Sequence, residues 1–522
     1  MEPKRGLAST PLSSIAKAVS VLEKKVVSAD EAVARIPSGA TIAVGGSGAG
    51  HAIPDKLLWA LGRRFRETGE PGGLTLLHPF GVGNQKDRGL EHVAHRGMFK
   101  RVVGGHWSMQ PSMARLAQEN AFEAYNLPAG VIVQLLHCAA AGSPGWMTHV
   151  GLHTFQDPRQ EGGKLNSKAT EAVVELVERA GKEWLFYPTI PVDVALIHAW
   201  QADPEGNLGM NQEAGFWQNL ATAQAAKASG GITLAVVRET VERRAIHPRD
   251  VRVPGCFVDY VVVDPEQGQT YQTDYDPTFT GDAIKSEQDF EDFPPSVRKL
   301  IAQRAAYELE PGATINVGFG VPDGVLKVAG ERGLTGSFIP TIEHGQFGGI
   351  PAGGLDFGAV YNPEAIVETG HMFDFYQGRG VDQCYLGFLE IDREGNVNVS
   401  KRGDSIVGTG GFIDISQKSR KCVFCGTLAV RSKSELTDGR IRYLEHGRPK
   451  FVERVSQVTF SGRYARELGQ EVLYVTESAV FRLTDEGVTL EEVAEGVDPE
   501  RDLWPQMGFR PAISPRLKTM RL

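Results

Sequence analysis

Cysteine is scarce in this chain. There are five in 522 residues, an odd number and mostly dispersed, which excludes a disulfide framework and makes a reducing cytoplasm the simplest setting. No window reaches about 18 consecutive apolar residues, so no membrane span is expected. The first twenty residues are basic and polar and lack the continuous apolar core of a signal peptide. Positive charge is not in excess either. With 55 Lys and Arg against 64 Asp and Glu, the formal net charge is -9, and no footprint for nucleic acid or an anionic membrane follows. Cys422-Val423-Phe424-Cys425 has no second Cys pair to complete a metal site. It lies in an apolar run over 421–430 that reads as a buried strand with ordinary core cysteines.

Glycine, by contrast, is abundant at 61 residues. It falls in short clusters such as Gly45-Gly46-Ser47-Gly48-Ala49-Gly50, which mark tight turns at strand ends. The length calls for two or three domains, and the chain echoes itself. Ser38-Gly39-Ala40-Thr41-Ile42-Ala43-Val44-Gly45-Gly46 returns as Pro311-Gly312-Ala313-Thr314-Ile315-Asn316-Val317-Gly318-Phe319. In both copies a strand, a glycine turn, a proline (Pro54, Pro322) and a helix are expected to follow. A second echo pairs Asp203-Pro204-Glu205-Gly206-Asn207 with Asp392-Arg393-Glu394-Gly395-Asn396, each read as a tight turn after a strand. Continuous apolar runs at 232–237 and 257–263 suit sheets covered on both faces. The expectation is α/β, in two related halves: 1–290 and 291–522, joined through a polar linker over 264–295. The segment beyond Leu473 reads as a domain margin.

Both glycine turns raise a dinucleotide site, and neither meets Gly-x-Gly-x-x-Gly. The third glycine is replaced by His51 in one copy and Asp323 in the other, and an acid at a helix N-terminus repels a pyrophosphate. The free N–H groups of such turns could still serve an oxyanion. The most unusual segment runs from Thr341 to Ala359. Six of its nineteen residues are glycine, and Glu343 sits at the end of an apolar strand. A carboxylate beside oriented N–H donors can act as a nucleophile. A glutamate at a strand end also suits a cap or a salt bridge.

Three signatures resemble those of the family I CoA-transferases, specifically the single-chain acyl-CoA:acetate/3-ketoacid and propionate enzymes. They are Glu343-His344-Gly345 followed by Gly348-Gly349-Ile350-Pro351-Ala352-Gly353-Gly354, then Gly318-Phe319-Gly320-Val321-Pro322, then Gly408-Thr409-Gly410-Gly411-Phe412-Ile413-Asp414. The resemblance spans about 25–430, and His344 after the glutamate is a departure from the usual pattern. It implies two related open α/β domains of the CoA-transferase (NagB/RpiA-like) type in one chain, with the acyl and carboxylate pocket in the first half and the catalytic glutamate in the second. It also implies transfer of CoA from an acyl-CoA to a short-chain acid or 3-oxoacid by ping-pong double displacement.

On that resemblance Glu343 is the nucleophile, and Gly320, Val321, Gly410 and Gly411 supply oxyanion donors. Phe347, Gly349, Gly353, Arg379 and Lys401 would contact CoA. Gly46, Ser47, Gly48, His106 and Gln110 would shape the acyl pocket. The implied partners are acyl-CoA and small carboxylates, with neither metal nor cofactor and with a homo-oligomer, dimer or tetramer, as the assembly. An acyl-CoA hydrolase on the same scaffold and a non-catalytic acyl-CoA binder stay open as alternatives.

Overall fold

A computed structural model of the chain describes residues 25–290, 293–437 and 440–521. The leader reading at the N-terminus lies outside them. The first half builds one nine-stranded sheet. Its strands are β1 (Thr41–Val44), β2 (Leu74–His78), β3 (Phe99–Gly104), β4 (Glu123–Asn126), β5 (Val194–Ala202), β6 (Leu208–Gly209), β7 (Ile232–Thr240), β8 (Val251–Val253) and β9 (Tyr260–Val263). Seven run parallel in the order β9-β7-β5-β1-β2-β3-β4. The apolar stretches of β5 and β7 are buried almost throughout, as a parallel sheet covered by helices requires. Those helices include α1 (Asp55–Thr68), α2 (Pro111–Gln118), α3 (Ala129–Ala141) and α4 (Asn219–Ala228).

The second half builds a ten-stranded sheet. Its strands are β10 (Thr314–Val317), β11 (Ile339–Thr341), β12 (Gln346–Phe347), β13 (Ala365–Ile366), β14 (Gln383–Gly387), β15 (Lys421–Cys425), β16 (Glu471–Val475), β17 (Ala479–Thr484), β18 (Gly487–Val493) and β19 (Ala512–Thr519). The centre, β11-β10-β14-β15-β16, is parallel. Helices α5 (Val297–Ala305), α6 (Gly324–Glu331), α7 (Thr369–Gln377) and α8 (Phe412–Ser416) pack around it. Cys422 and Cys425 are fully buried in β15, as expected of core cysteines. The region beyond Leu473 is not a margin, because it supplies the end of β16 and all of β17, β18 and β19.

The two echoes are structural repeats. β1 and β10 are both central parallel strands followed by a glycine turn and a helix. In the second echo Asp203 accepts hydrogen bonds from the Glu205 and Asn207 N–H groups and the Asn207 side chain. Asp392 does the same for Glu394 and Asn396. Gly206 and Gly395 adopt φ of 81° and 84°, which only glycine adopts without strain.

The polar linker is a clamp. Thr270 Oγ1, Gln272 Nε2 and Thr273 Oγ1 all donate to the Asp356 carboxylate, at 2.6, 2.9 and 3.0 Å. Its polar composition satisfies one buried acid of the other half. One hydrophobic cluster also runs through both halves, joining Phe80, Tyr125 and Leu127 to Phe373, Tyr376 and Phe412. Among the described residues no helix is long and apolar enough to cross a membrane.

Candidate active site

In parallel sheets ligands bind beyond the carboxyl ends of the strands. Here the carboxyl edges of the two sheets meet. Beyond β1 lies Ser47, beyond β2 Phe80, and beyond β3 Gly105 and His106. Beyond β11 lies Glu343. Contact between the edges is direct: the Gly410 and Thr409 N–H groups both donate to Gly105 C=O at 2.9 Å, and Trp107 N–H donates to Val407 C=O at 2.8 Å.

Glu343 and His344 are the tip of a hairpin between β11 and β12, closed by Gly345 N–H to Ile342 C=O at 3.0 Å. Gly345 has φ 119°, and a Cβ there would sit 2.0 Å from Val367 O, so glycine is required. Gln346 pins the hairpin from below, with Nε2 donating to Ala214 O at 2.7 Å and Gly358 O at 3.1 Å. The strand itself is held by Thr341 Oγ1 on Ile315 O, with Tyr376 OH donating to Thr341 at 2.9 Å.

The Glu343 side chain is 21% exposed, so it is reachable, yet its surroundings are apolar. Burial lifts its pKa from 4.5 to about 7, and the Gly411 N–H, aimed at the carboxylate, works against that rise. A Cβ on Gly411 would lie 2.0 Å from Glu343 Oε2. The backbone can therefore touch the acid only because residue 411 is glycine.

Gly411 opens α8, and Asp414, completely buried, anchors that helix. Its carboxyl accepts from Gly130 N–H of α3 at 3.2 Å and from Gln377 Nε2 of α7 at 2.9 Å. Burial, with the Glu343 charge adding to it, pushes its pKa to about 8. Glu343 thus ionises while Asp414 is still protonated, and only the second ionisation feels a like charge.

The first half reaches Glu343 through Ser47. Ser47 Oγ lies 2.7 Å from His344 Nε2, and His344 Nε2 lies 3.9 Å from Glu343 Oε1. Burial and neighbouring His51 drop the His344 pKa to about 3, so the imidazole is neutral and offers a dipole rather than a cation. His51 itself is buried against Trp217, with ring centroids 5.7 Å apart, and Phe80 meets His344 edge-on at 5.1 Å. The result is a carboxylate of raised pKa with one backbone donor, walled by neutral polar and aromatic groups. Such a carboxylate can attack a carbonyl carbon.

The coenzyme A transferase family profile matches residues 26–264. The acetate CoA-transferase YdiF of Escherichia coli K12 is 44% identical over 95% of this chain and 94% of its own length. The chain belongs to the coenzyme A transferase family. The caffeate CoA-transferase of Acetobacterium woodii is 41% identical over 95% of this chain and 96% of its own. Among solved structures, the acyl-CoA transferase YdiF of E. coli O157:H7 in its thioester complex with CoA superposes with a TM-score of 0.90, at 42% identity, covering 96% of both chains.

Within this CoA-transferase the residues singled out from sequence separate into groups. Glu343, Gly411 and Ser47 converge, with Gly46 and Gly48 (φ 80° and 58°) shaping the Ser47 loop. His106 lies beside the Gly408–Gly411 turn, its ring 3.7 Å from where a Gly410 Cβ would be. Gly410 is not a free donor, because its N–H is held by Gly105 C=O. The Gly320 N–H faces the Asp323 carboxylate, and Val321 packs into the second half's core. Neither is hydrogen-bonded to Glu343.

Gln110 is fully buried and braces backbone, accepting from Val82 N–H at 3.1 Å and donating to His106 O at 2.7 Å. Phe347 is half-buried against the core. Gly349 allows a tight crossing, since a Cβ there would meet Tyr361 O at 2.3 Å, and Gly353 faces open space. Arg379 precedes β14, at the amino ends of the parallel strands and so opposite Glu343, where it pairs with Asp382 at 2.9 Å. Lys401 lies in the hairpin that leads into the Gly408–Gly411 turn and lines a cavity of about 420 Å³ between the halves. His344, His51, Phe80, Trp217 and the anchoring role of Asp414 were not assigned from sequence. His344 and Asp414 stand inside quoted motifs and His51 closes the first glycine turn, whereas Phe80 and Trp217 carried no local signal.

Proposed function

We propose that this CoA-transferase moves CoA from an acyl-CoA to an acceptor carboxylate, a short-chain acid or 3-oxoacid, through covalent intermediates on Glu343. The Glu343 carboxylate attacks the thioester carbonyl, the C–S bond breaks, and an acyl-glutamyl anhydride and CoA thiolate result. The thiolate then attacks the glutamyl carbonyl, releasing the donor acid and leaving a glutamyl-CoA thioester. An acceptor carboxylate reverses both steps. Thioester energy is conserved, so the cycle draws on no resident metal or redox cofactor.

The observation that carries this reading is the pairing of Glu343 with the Gly411 N–H across a glycine that admits no side chain. When the glutamyl carbonyl is attacked, its oxygen becomes an oxyanion against that same N–H. Loss of one such donor typically costs 10²- to 10³-fold in rate. The pKa of about 7 favours a more basic, and so more nucleophilic, carboxylate near neutrality. The neutral Ser47–His344 pair and the Phe80 and Trp217 rings are fitted to hold the acyl or acceptor group without a competing cation.

Steady-state kinetics with acetyl-CoA or propionyl-CoA and isotope-labelled acceptor acids test the reading. Parallel double-reciprocal lines, and label appearing in the acyl-CoA pool, are expected. Free CoA released at the same rate without any acceptor would instead make the chain a hydrolase.

A further inference from the structure

Lys450 is an oddity at the carboxyl edge of the second sheet. It is only 8% exposed. Among the described residues its ammonium has no carboxylate partner and no hydrogen-bond acceptor. Its one specific contact is the face of the Phe388 ring, 4.0 Å away. The nearest acid in charge terms, Glu477, is committed elsewhere, accepting from Tyr443 OH at 2.7 Å and Leu428 N–H at 3.0 Å. A buried cation left in this way costs several kcal/mol unless something compensates it.

The surroundings make room for the ammonium. Gly426 ends β15, and a Cβ there would lie 2.9 Å from Lys450 Nζ, so glycine lets the lysine reach the strand end. Phe388 ends β14. Both strand ends lie on the same edge as Glu343, two to three strand spacings away, or about 10–14 Å. The hairpin Lys401–Ile406 leads directly into the turn that carries Gly411. Its Arg402 adds positive charge close enough to be felt by Lys450. Burial lowers the Lys450 pKa to about 8, with Glu477 opposing that shift and Arg402 adding to it, so the group is charged at neutral pH.

We propose that Lys450 is an anion subsite that receives a phosphate group of the CoA moiety while the thioester lies at Glu343. This rests on the Glu343 reading for the position of the thioester. An ammonium poised near 10–14 Å from the reacting carbonyl suits a substrate whose uncharged arm separates thioester from phosphate. A phosphate supplies the charge-assisted partner that the protein withholds.

The test compares wild type with Lys450→Met on four donors: acetyl-CoA, acetyl-dephospho-CoA, the acetyl thioester of phosphopantetheine and that of pantetheine. The expected result is a KM for acetyl-CoA raised about 10- to 100-fold, the range for losing one charged hydrogen bond, with the phosphate-free pantetheine thioester unaffected. Loss shared by acetyl-dephospho-CoA assigns the phosphate to the diphosphate end. Loss absent there assigns it to the 3′-phosphate. Because Met removes an uncompensated buried charge, Tm should stay level or rise. Equal losses on all four donors with a lowered Tm, or no loss on any, would overturn the proposal. Calorimetric Kd values for free CoA supply a readout independent of the Glu343 chemistry, so failure of the covalent mechanism would leave this result legible.

Discussion

Replacing Glu343 with Gln should stabilise the protein, and by an amount that grows with pH. Glutamine keeps an oxygen for the Gly411 N–H but removes the ionisable group. In the folded protein burial raises the Glu343 pKa from 4.5 to about 7. Between those values the native state holds a proton that the unfolded chain has lost, so wild-type stability falls as pH rises through this window. Below pH 4.5 both states are protonated and no cost exists; above about pH 7 the cost is complete. A rise of about 2.5 pKa units corresponds to about 3 kcal/mol. With an unfolding entropy near 2.1 cal/mol/K per residue, that is about 3 °C in Tm for a chain this long. Differential scanning fluorimetry of both proteins from pH 5 to pH 8.5 measures it. The Tm difference should be small at pH 5 and open to about 3 °C by pH 8. A difference that stays flat would refute the claim that Glu343 is held in a desolvated site.

Other substitutions separate catalytic from structural roles. Gly411→Ala places a methyl where Glu343 Oε2 now lies, so kcat should fall at least 100-fold while the Kd for CoA, measured by calorimetry, changes little. Asp414 is protonated at neutral pH and ionises beside Glu343 only near pH 8. Asp414→Asn should therefore remove an alkaline decline in kcat/KM while leaving the acid limb near pH 7, and a decline that persists in the variant would discharge Asp414 from this part. Gln110→Ala leaves the Val82 N–H unpaired in the core, which should cost about 1–3 kcal/mol of stability with KM for both substrates unchanged.

Much of the fold was legible locally. Glycine clusters, apolar runs and the two echoes located the central strands β1 and β10 and both Asp-x-x-Gly-Asn turns, because those features depend on neighbouring residues. The site was legible only where it is contiguous. Glu343 and Gly411 belong to motifs, but the Ser47–His344 contact joins positions 297 residues apart, and the Gly130–Asp414 bond joins positions 284 apart.

Adjacent residues also part company in ways that spacing cannot disclose. In one turn Gly410 gives its N–H to Gly105 while Gly411 turns its own to Glu343. Arg379 was expected to contact CoA, but parallel strands have two ends, and composition does not say which end a residue occupies. The linker's polar composition was legible, but not its partner: its Thr and Gln residues saturate Asp356 of the other half. Lys450 gave no signal at all, since an unpaired lysine is defined by burial, which only the assembled fold reveals.

The most direct test of the covalent claim is to incubate the protein with acetyl-CoA or propionyl-CoA, reduce it with borohydride and weigh the peptides. Reduction of a glutamyl thioester to the alcohol leaves the residue about 14 Da lighter. That change should fall on the peptide carrying Glu343 and be absent in Glu343→Gln. An unchanged Glu343 peptide across several acyl-CoAs, with turnover surviving in Glu343→Ala, would contradict the account.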